Sequence, residues 1–304
     1  MRPIIDRLSP VKKDSGFRQD GYFIWGGSLI RVGDTYHLFA SRWPRATGFP
    51  EGYREHSEIV WATSATPQGP YSFREVVLPG RGGEWWDGKM CHNPKIVKAG
   101  SAYVLYYIGS RIGSPLRKVG YAWSSSIAGP WQRRDKPLPL GEDANNPAPC
   151  IHPDGSLVLA YRDLNLHMHI ARADAFDAEY RIVAEDVFPD GRLEDPDLDF
   201  IDDQYYLTVE DNAGVLTGHV RHGAQLISDD GLTWRKARPV RVYTHTIQFE
   251  DGTSLTVDRR ERPELVDARR EIKGLSEPTH LVTGVWDGDQ AWCMVQPIAP
   301  QRAP

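Results

Sequence analysis

The chain has 304 residues, a formal net charge of −5 and a hydrophobic fraction of 40%. This charge provides no basic field for a phosphate backbone, so we expect no nucleic-acid partner. No apolar run is long enough to span a bilayer, and the segment from Met1 to Pro10 lacks the apolar core of a signal peptide. We therefore expect no membrane attachment and a cytoplasmic location.

The three cysteines, Cys91, Cys150 and Cys293, are odd in number, widely spaced and without a CxxC pair. This pattern argues against both a disulfide framework and a zinc site. We expect three buried thiols, no metal and no cofactor.

Aromatic residues are frequent beside glycine and proline, with Trp 10, Tyr 13, Phe 9, Gly 28 and Pro 23. Such a mixture suits short strands joined by tight turns. Long helices are not expected, because Gly or Pro interrupts the apolar runs every ten residues or so.

A motif recurs every few dozen residues: a small or polar pair followed by an apolar strand. Its five copies begin at Trp25, His92, Asn145, Glu194 and Glu261. A second motif, a turn followed by an aromatic and β-branched strand, comes after each copy and is typical of a hairpin partner. A third motif ends in a turn such as Gly69-Pro70-Tyr71 or Gly129-Pro130-Trp131.

The ordered recurrence predicts an all-β fold, a five-bladed β-propeller with four-stranded antiparallel blades around a central funnel. We expect residues 1–304 to form one such domain. A two-sheet sandwich is the alternative, but it does not explain the order of the motifs. The fifth unit shows three clear strands, so the segment near Ile4 to Leu8 is expected to supply the fourth.

The first motif is expected to line the functional site, because the innermost strands of a propeller begin at one face and converge on the axis. Carboxylates, Asn, His and Arg beside tryptophans are the usual chemistry of a carbohydrate pocket. We predict a small-molecule carbohydrate as the partner; the oligomeric state is left open. Taken singly, each of these polar residues is equally well explained as a turn residue that binds backbone amides.

The motifs resemble those of the five-bladed glycosidase superfamily, which includes families 43 and 32 and the family 130 phosphorylases. Ser28 to Tyr36 is similar to the opening strand of family 43, where a catalytic-base Asp stands two residues before the position of Ser28; this chain has Gly26. Glu194-Asp195-Pro196 resembles the general-acid motif of families 43 and 32 and also the Glu-Asp-Pro-Arg motif of family 130, with Asp197 at the Arg position. Asn146 falls where family 43 would place an acid-tuning Asp. The resemblance implies a glycosidase scaffold with a changed catalytic set.

Glycosidic cleavage usually needs one protonated carboxyl and one carboxylate. The resemblance makes Glu194 the candidate acid, with neighbouring Asp195 raising its pKa by like-charge repulsion. Glu261 is the candidate base in place of Gly26, and Asp195 and Asp87 are reserve carboxylates. A salt bridge of Glu261 with Arg259, Arg260 or Arg262 is an equal alternative.

Substrate-binding candidates are polar or aromatic residues that strand order directs to the funnel. We expect His92, Asn93 and Asn146 to bind hydroxyls, and Arg262 and Arg42 to clamp a carboxylate such as that of a uronic acid. The remaining candidates are Trp25, Glu58, Trp86, Asp87, Arg162, His167 and Asp211.

Three functions remain open from the sequence. The first is an exo-acting glycoside hydrolase on a small oligosaccharide that contains a furanose or an acidic sugar. The second is a glycoside phosphorylase, with Arg259, Arg260 and Arg262 as the phosphate-binding candidates. The third is a non-catalytic sugar-binding propeller, favoured by Gly26 and Asn146 at positions where family 43 has acids. Five chemically different motifs favour one central site over a repeated lectin site.

Overall fold

The structure, a computed structural model, describes Met1 and residues 3–300. Five antiparallel sheets follow one another along the chain, and in each sheet the strands lie in sequence order from the axis outward. The predicted β-propeller is confirmed.

Blades I and II contain four strands each. Blade I consists of β1 (Tyr22–Val32), β2 (Thr35–Pro44), β3 (Glu58–Ser64) and β4 (Ser72–Leu78). Blade II consists of β5 (Met90–Ala99), β6 (Ala102–Ser110), β7 (Lys118–Ser124) and β8 (Gln132–Arg133).

Blades III and IV repeat this arrangement. Blade III consists of β9 (Asn145–Ile151), β10 (Leu157–Arg162), β11 (Met168–Ala173) and β12 (Arg181–Ala184). Blade IV consists of β13 (Leu193–Ile201), β14 (Gln204–Asp211), β15 (His222–Ser228) and β16 (Arg235–Tyr243).

Blade V follows a small hairpin of β17 (Thr246–Gln248) and β18 (Ser254–Thr256). It consists of three strands, β19 (Arg259–Val266), β20 (His280–Asp287) and β21 (Gln290–Pro297). The only helices among the described residues are α1 (Tyr53–His56) and two 3-10 turns at Ile5–Arg7 and Arg45–Thr47. None of these described helices has the length and apolar character needed to cross a membrane.

The N-terminal segment lies beside the last strand of blade V. Ser9 N donates to Pro297 O at 2.9 Å, and Phe17 N donates to Cys293 O at 2.8 Å. The predicted strand near Ile4 to Leu8 is instead a 3-10 turn followed by isolated bridges. The segment therefore joins the two ends of the chain without forming a regular fourth strand.

The ring is closed by contacts between innermost strands. β1 contacts β5, β5 contacts β9, β9 contacts β13, β13 contacts β19, and β19 contacts β1. Apolar clusters fill the space between neighbouring blades, such as the one that joins Tyr106 of blade II to Leu159 and Tyr161 of blade III. Because both faces of a blade are covered, most inner strands are buried along their whole length.

Candidate active site

Each innermost strand or its partner carries a β-bulge at the first motif. The bulge residue has a left-handed backbone in every blade: Gly26 (φ 60°), Asn93 (φ 53°), Asn146 (φ 51°), Asp195 (φ 53°) and Arg262 (φ 57°). A bulge inserts one residue and breaks the alternation of side chains along a strand. Two consecutive residues can therefore face the same side at this point.

A cavity of about 790 Å³ lies where the five bulges meet. The residues immediately before the bulges all line it: Trp25, His92, Asn145, Glu194 and Glu261. The bulge residues Asn93, Asn146 and Asp195 line it as well. The fold thus brings five sequence-distant motifs to one site.

The bulge side chains form a hydrogen-bonded floor beneath the cavity. Asn93 Nδ2 donates to Asn146 Oδ1 at 2.8 Å, and Asn146 Nδ2 donates to Asp195 Oδ1 at 2.6 Å. Arg262 closes the row, since its backbone N donates to Asp195 Oδ2 at 3.1 Å and its Nη1 to Asp195 Oδ1 at 3.3 Å. The floor fixes the Asp195 carboxylate from two sides.

Gly26 is the one bulge residue without a side chain, and its neighbours fill that space. A Cβ built on Gly26 would lie 2.9 Å from Asn93 Oδ1 and 3.3 Å from Arg262 Nε. The position that resembles that of the family 43 catalytic base is therefore crowded by the Arg262 guanidinium and the Asn93 amide.

A second buried layer lies two residues further along four of the strands, at Ser28, Lys95, Asp197 and Glu264. Lys95 Nζ lies 3.0 Å from both Asp197 Oδ1 and Glu264 Oε2. Asp197 Oδ2 accepts from Leu265 N at 2.7 Å, and Glu264 Oε1 accepts from Leu29 N at 2.9 Å. These contacts tie neighbouring blades together beneath the site.

Glu194 lies on β13 at the cavity wall. Its Oε1 pairs with Arg162 Nη2 at 2.9 Å, and its Oε2 accepts from Asn212 Nδ2 at 3.1 Å. Burial raises the pKa of the Glu194 carboxyl; the Arg162 charge opposes the rise and Asp195 adds to it. Burial, rather than the like-charge repulsion emphasised from sequence, is the main cause.

Glu261 lies on β19, in the neighbouring blade. Its Oε1 is 2.6 Å from Arg221 Nη1 and 3.6 Å from Arg259 Nη1. Burial raises the pKa of Glu261 to about 7, Asp195 contributes in the same direction, and the two arginines oppose it. The sequence left open a salt bridge of Glu261 with Arg259, Arg260 or Arg262. Glu261 does pair with Arg259, but its shorter contact is to Arg221.

Two residues near the proposed acid and base were not among the sequence candidates: Arg221, which lines the cavity, and Glu210, which is buried behind it. Glu210 is fully buried opposite Glu194 on β14, and burial together with Glu261 raises its pKa well above the usual value. Arg221 Nη1 lies 3.2 Å from Glu210 Oε1 and also contacts Glu261. Glu210 could have been predicted, because it is the residue paired with Glu194 in the β13–β14 hairpin. Arg221 could not, because it lies in a loop outside the three recurring motifs.

Asp195, Glu210 and Glu261 each offer a carboxylate oxygen within 4.8 Å of the others. Among the described residues, this group has the spacing that could hold a cation. Arg221 already places a positive charge against two of its three members, Glu210 and Glu261. The Arg221 guanidinium therefore provides positive charge beside the carboxyls of Glu210 and Glu261.

Aromatic rings cover the blade I and blade V side of the cavity. Phe49 stacks on Trp286 with a centroid distance of 4.9 Å and meets Trp25 edge-on at 5.1 Å. Tyr53 stacks on His92 at 4.5 Å. Flat apolar faces beside polar forks suit the C–H surfaces and hydroxyls of a sugar.

His92 is fixed in a neutral form. Its Nδ1 lies 2.7 Å from Ser57 Oγ, and burial lowers its pKa well below the usual value, with help from the Arg262 and Arg117 charges. A neutral imidazole at this depth can exchange hydrogen bonds with substrate hydroxyls without carrying charge.

Arg162 and His167 also line the cavity, each beside a carboxylate. Arg162 pairs with Glu194, and His167 Nδ1 lies 3.3 Å from Asp163 Oδ2. With Trp25, His92, Asn93, Asn146 and the three carboxylates Glu194, Asp195 and Glu261, they are the sequence-predicted residues found at the site. Their roles there stay predictions.

Six predicted substrate-binding residues do not line the cavity: Arg42, Glu58, Trp86, Asp87, Asp211 and Arg262. Arg42 and Glu58 pair with each other at 2.8 Å, and Trp86 packs in the apolar cluster between blades I and II. The prediction that these three residues line the cavity is therefore wrong, and each has a structural contact elsewhere.

The other three of these six also have structural partners. Asp87 is fully buried against Arg81 and accepts from Tyr107 Oη at 2.7 Å, which also removes it as a reserve carboxylate. Asp211 accepts from the backbone N of Leu216 and of Thr217 and so shapes a loop. Arg262 belongs to the floor, where it contacts Asp195.

No family model matches the sequence, and no curated protein matches it. Solved structures do. The catalytic domain of the Coprinopsis cinerea family 62 α-L-arabinofuranosidase superposes with a TM-score of 0.72 at 15% identity, over 97% of this chain and 98% of that one. A family 117 glycoside hydrolase from Zobellia galactanivorans gives 0.67 at 15% identity, over 95% and 88%.

A family 43 β-xylosidase/α-arabinofuranosidase from a compost metagenome gives a TM-score of 0.66 at 14% identity, over 97% of this chain and 96% of that one. The chain thus has the fold of these glycoside hydrolases along nearly its whole length. At such low identity, the likeness establishes the fold, and the chemistry has to be argued from the site.

Proposed function

We propose that the protein is a glycoside hydrolase whose acid and base are Glu194 and Glu261. One observation carries this proposal. Two carboxyls on neighbouring innermost strands line the same cavity, both have raised pKa values, and each is held by an arginine. Pairs of carboxyls whose proton affinities are tuned by burial are what glycosidic cleavage requires.

In the proposed reaction, Glu194 gives its proton to the glycosidic oxygen while the bond from that oxygen to the anomeric carbon breaks. Arg162 and Asn212 hold the Glu194 carboxyl in place. Glu261 takes a proton from the water that attacks the anomeric carbon. Arg221 stabilises the Glu261 carboxylate at 2.6 Å, so that it can act as a base.

Asp195 has a supporting role in this scheme. Its carboxylate is fixed by Asn146 and Arg262 on the floor of the cavity, and its charge raises the pKa of both glutamates. A fixed negative charge below the sugar also favours the positive charge that develops at the anomeric carbon.

The shape of the site supports exo-acting cleavage of a small oligosaccharide. The hydrogen-bonded floor closes the funnel from below, so a terminal sugar fits better than the middle of a chain. A furanose-containing substrate agrees with the structural neighbours, two of which are described as arabinofuranosidases. An acidic sugar agrees with the arginines along the wall.

The test is product release from a panel of aryl glycosides and short oligosaccharides, with and without phosphate. Glu194→Gln and Glu261→Gln should each keep sugar affinity and lower turnover by roughly 10²-fold or more. Glu75→Gln, on an exposed part of β4, is the matched control and should keep full activity. Turnover that requires phosphate would instead indicate a phosphorylase, and sugar binding without turnover would indicate a binding protein.

A further inference from the structure

The charge of the cavity is opposite to that of the whole chain. Six arginines and three carboxylates line it, whereas the chain carries a net charge of −5. The arginines are Arg54, Arg117, Arg162, Arg192, Arg221 and Arg259. Three of them form ion pairs with the glutamates: Arg162 pairs with Glu194, and Arg221 and Arg259 share Glu261. The other three are in excess.

Two of the unpaired arginines lie between the main cavity and a second one. Arg54 and Arg117 line both the main cavity and a neighbouring cavity of about 660 Å³ on blade II. Neither forms an ion pair with a carboxylate of the described residues. The nearby Lys89, in contrast, is already paired with Glu55 at 2.9 Å.

Tyr53 contacts both guanidinium groups and holds that of Arg117 by a hydrogen bond. Arg117 Nη2 donates to Tyr53 Oη at 2.9 Å, and the Arg117 and Arg54 guanidinium carbons lie 5.7 and 5.9 Å from the centre of the Tyr53 ring. The same ring stacks on His92, which lines the main cavity. One of the two cations is therefore held in place by a hydrogen bond, and its remaining N–H groups are free to bind a ligand.

We propose that Arg54 and Arg117 form an anion subsite that binds the carboxylate of an acidic sugar in the substrate, on the side of blade II. This inference rests on the proposed function, because it assumes that a saccharide occupies the funnel. A guanidinium presents paired N–H donors that match a carboxylate. Arg117 is half-buried and oriented by Tyr53, whereas Arg54 is exposed and adds its charge beside it. The sugar in the funnel and the acidic sugar at the subsite would be neighbours in one oligosaccharide.

The test compares acidic sugars with their neutral counterparts. Dissociation constants are measured by calorimetry for glucuronate against glucose, for galacturonate against galactose, and for disaccharides that end in each. The acidic member of at least one pair should bind at least tenfold tighter, and added salt should reduce the difference. The double variant Arg54→Gln/Arg117→Gln should lose the preference, and Arg117→Lys should keep part of it.

Arg181→Gln on β12 is the control, because Arg181 is an exposed arginine on an outer strand and pairs only loosely with Asp174, at 3.6 Å. Equal affinity for both members of every pair, a preference that survives in the double variant, or no binding of any of these sugars would overturn the inference. A requirement for inorganic phosphate, with its KM raised by Arg117→Gln, would also overturn it, because the bound anion would then be phosphate.

The two proposals fail differently. Hydrolysis of neutral glycosides that depends on Glu194, with no preference for acidic sugars, would remove the anion subsite and leave the hydrolase. Tight binding of acidic sugars that depends on Arg117, without hydrolysis of any substrate in the panel, would remove the hydrolase and leave the subsite.

Discussion

Arg262 lies against the backbone of Gly26, so that a Cβ at position 26 would be 3.3 Å from the Arg262 Nε. The two residues occupy equivalent bulges in blades V and I, which are neighbours in the ring. The Arg262 side chain at one bulge therefore crowds any side chain placed at the other. The carboxyls that line the cavity, Glu194, Asp195 and Glu261, come from blades IV and V.

Gly26→Ala should destabilise the protein more than an alanine at an uncrowded glycine does. Gly26 has φ 60° and its Cβ would lie 2.9 Å from Asn93 Oδ1, whereas Gly33 has φ 59° with nothing within 4 Å. Both variants pay the left-handed backbone cost of about 1–2 kcal/mol, and only Gly26→Ala adds overpacking of about 1 kcal/mol or more. Urea denaturation measures both; equal losses would show that the crowding has no energetic effect.

The pH dependence of kcat/KM should contain a rising limb near pH 7. Glu261 has a pKa of about 7, and a general base acts only in its deprotonated form, so activity increases as the pH passes upward through that value. Glu261→Gln should remove the limb from the residual activity. A falling limb at the same pH, lost in the same variant, would exchange the roles and make Glu261 the acid.

Arg221→Gln should move that limb to higher pH. The Arg221 guanidinium, 2.6 Å from Glu261, lowers the pKa of this carboxyl, so the pKa should rise further when Arg221 is removed. Arg221→Lys keeps the charge and should restore much of the original profile. An unchanged limb in Arg221→Gln would mean that another group sets the pH dependence.

Lys95→Met should cost about 3 kcal/mol of stability, because it removes one of the two buried lysines that neutralise Asp197 and Glu264 and leaves only Lys273 against them. The Lys95 Nζ lies 3.0 Å from Asp197 and 3.0 Å from Glu264, all three being buried. Lys136→Met changes an exposed lysine and should shift the unfolding free energy by less than about 0.5 kcal/mol. Guanidinium unfolding of both variants is the measurement, and similar losses would rule out a special role for the buried layer.

The five-bladed architecture could be predicted from the sequence, and so could the meeting of the five motifs at one cavity. Each blade contains one copy of a motif in which a polar or small residue precedes a proline or glycine. In the structure, the residue before the proline or glycine lies at a β-bulge of the innermost strand. Because five such strands must begin at one face of a closed ring, Glu194, Glu261 and His92 could be placed in one cavity from their motifs alone.

Which polar residues face that cavity, and how they are paired, could not be predicted from the sequence. Trp86 and Asp87 have the composition of site residues, yet they are buried within and between blades. Arg221 lies 40 positions from Glu261 in the chain and meets it across a blade boundary. The direction of a side chain changes at every bulge and loop, and the pKa of a carboxyl depends on its burial and on neighbours from other blades; neither is encoded in a local pattern.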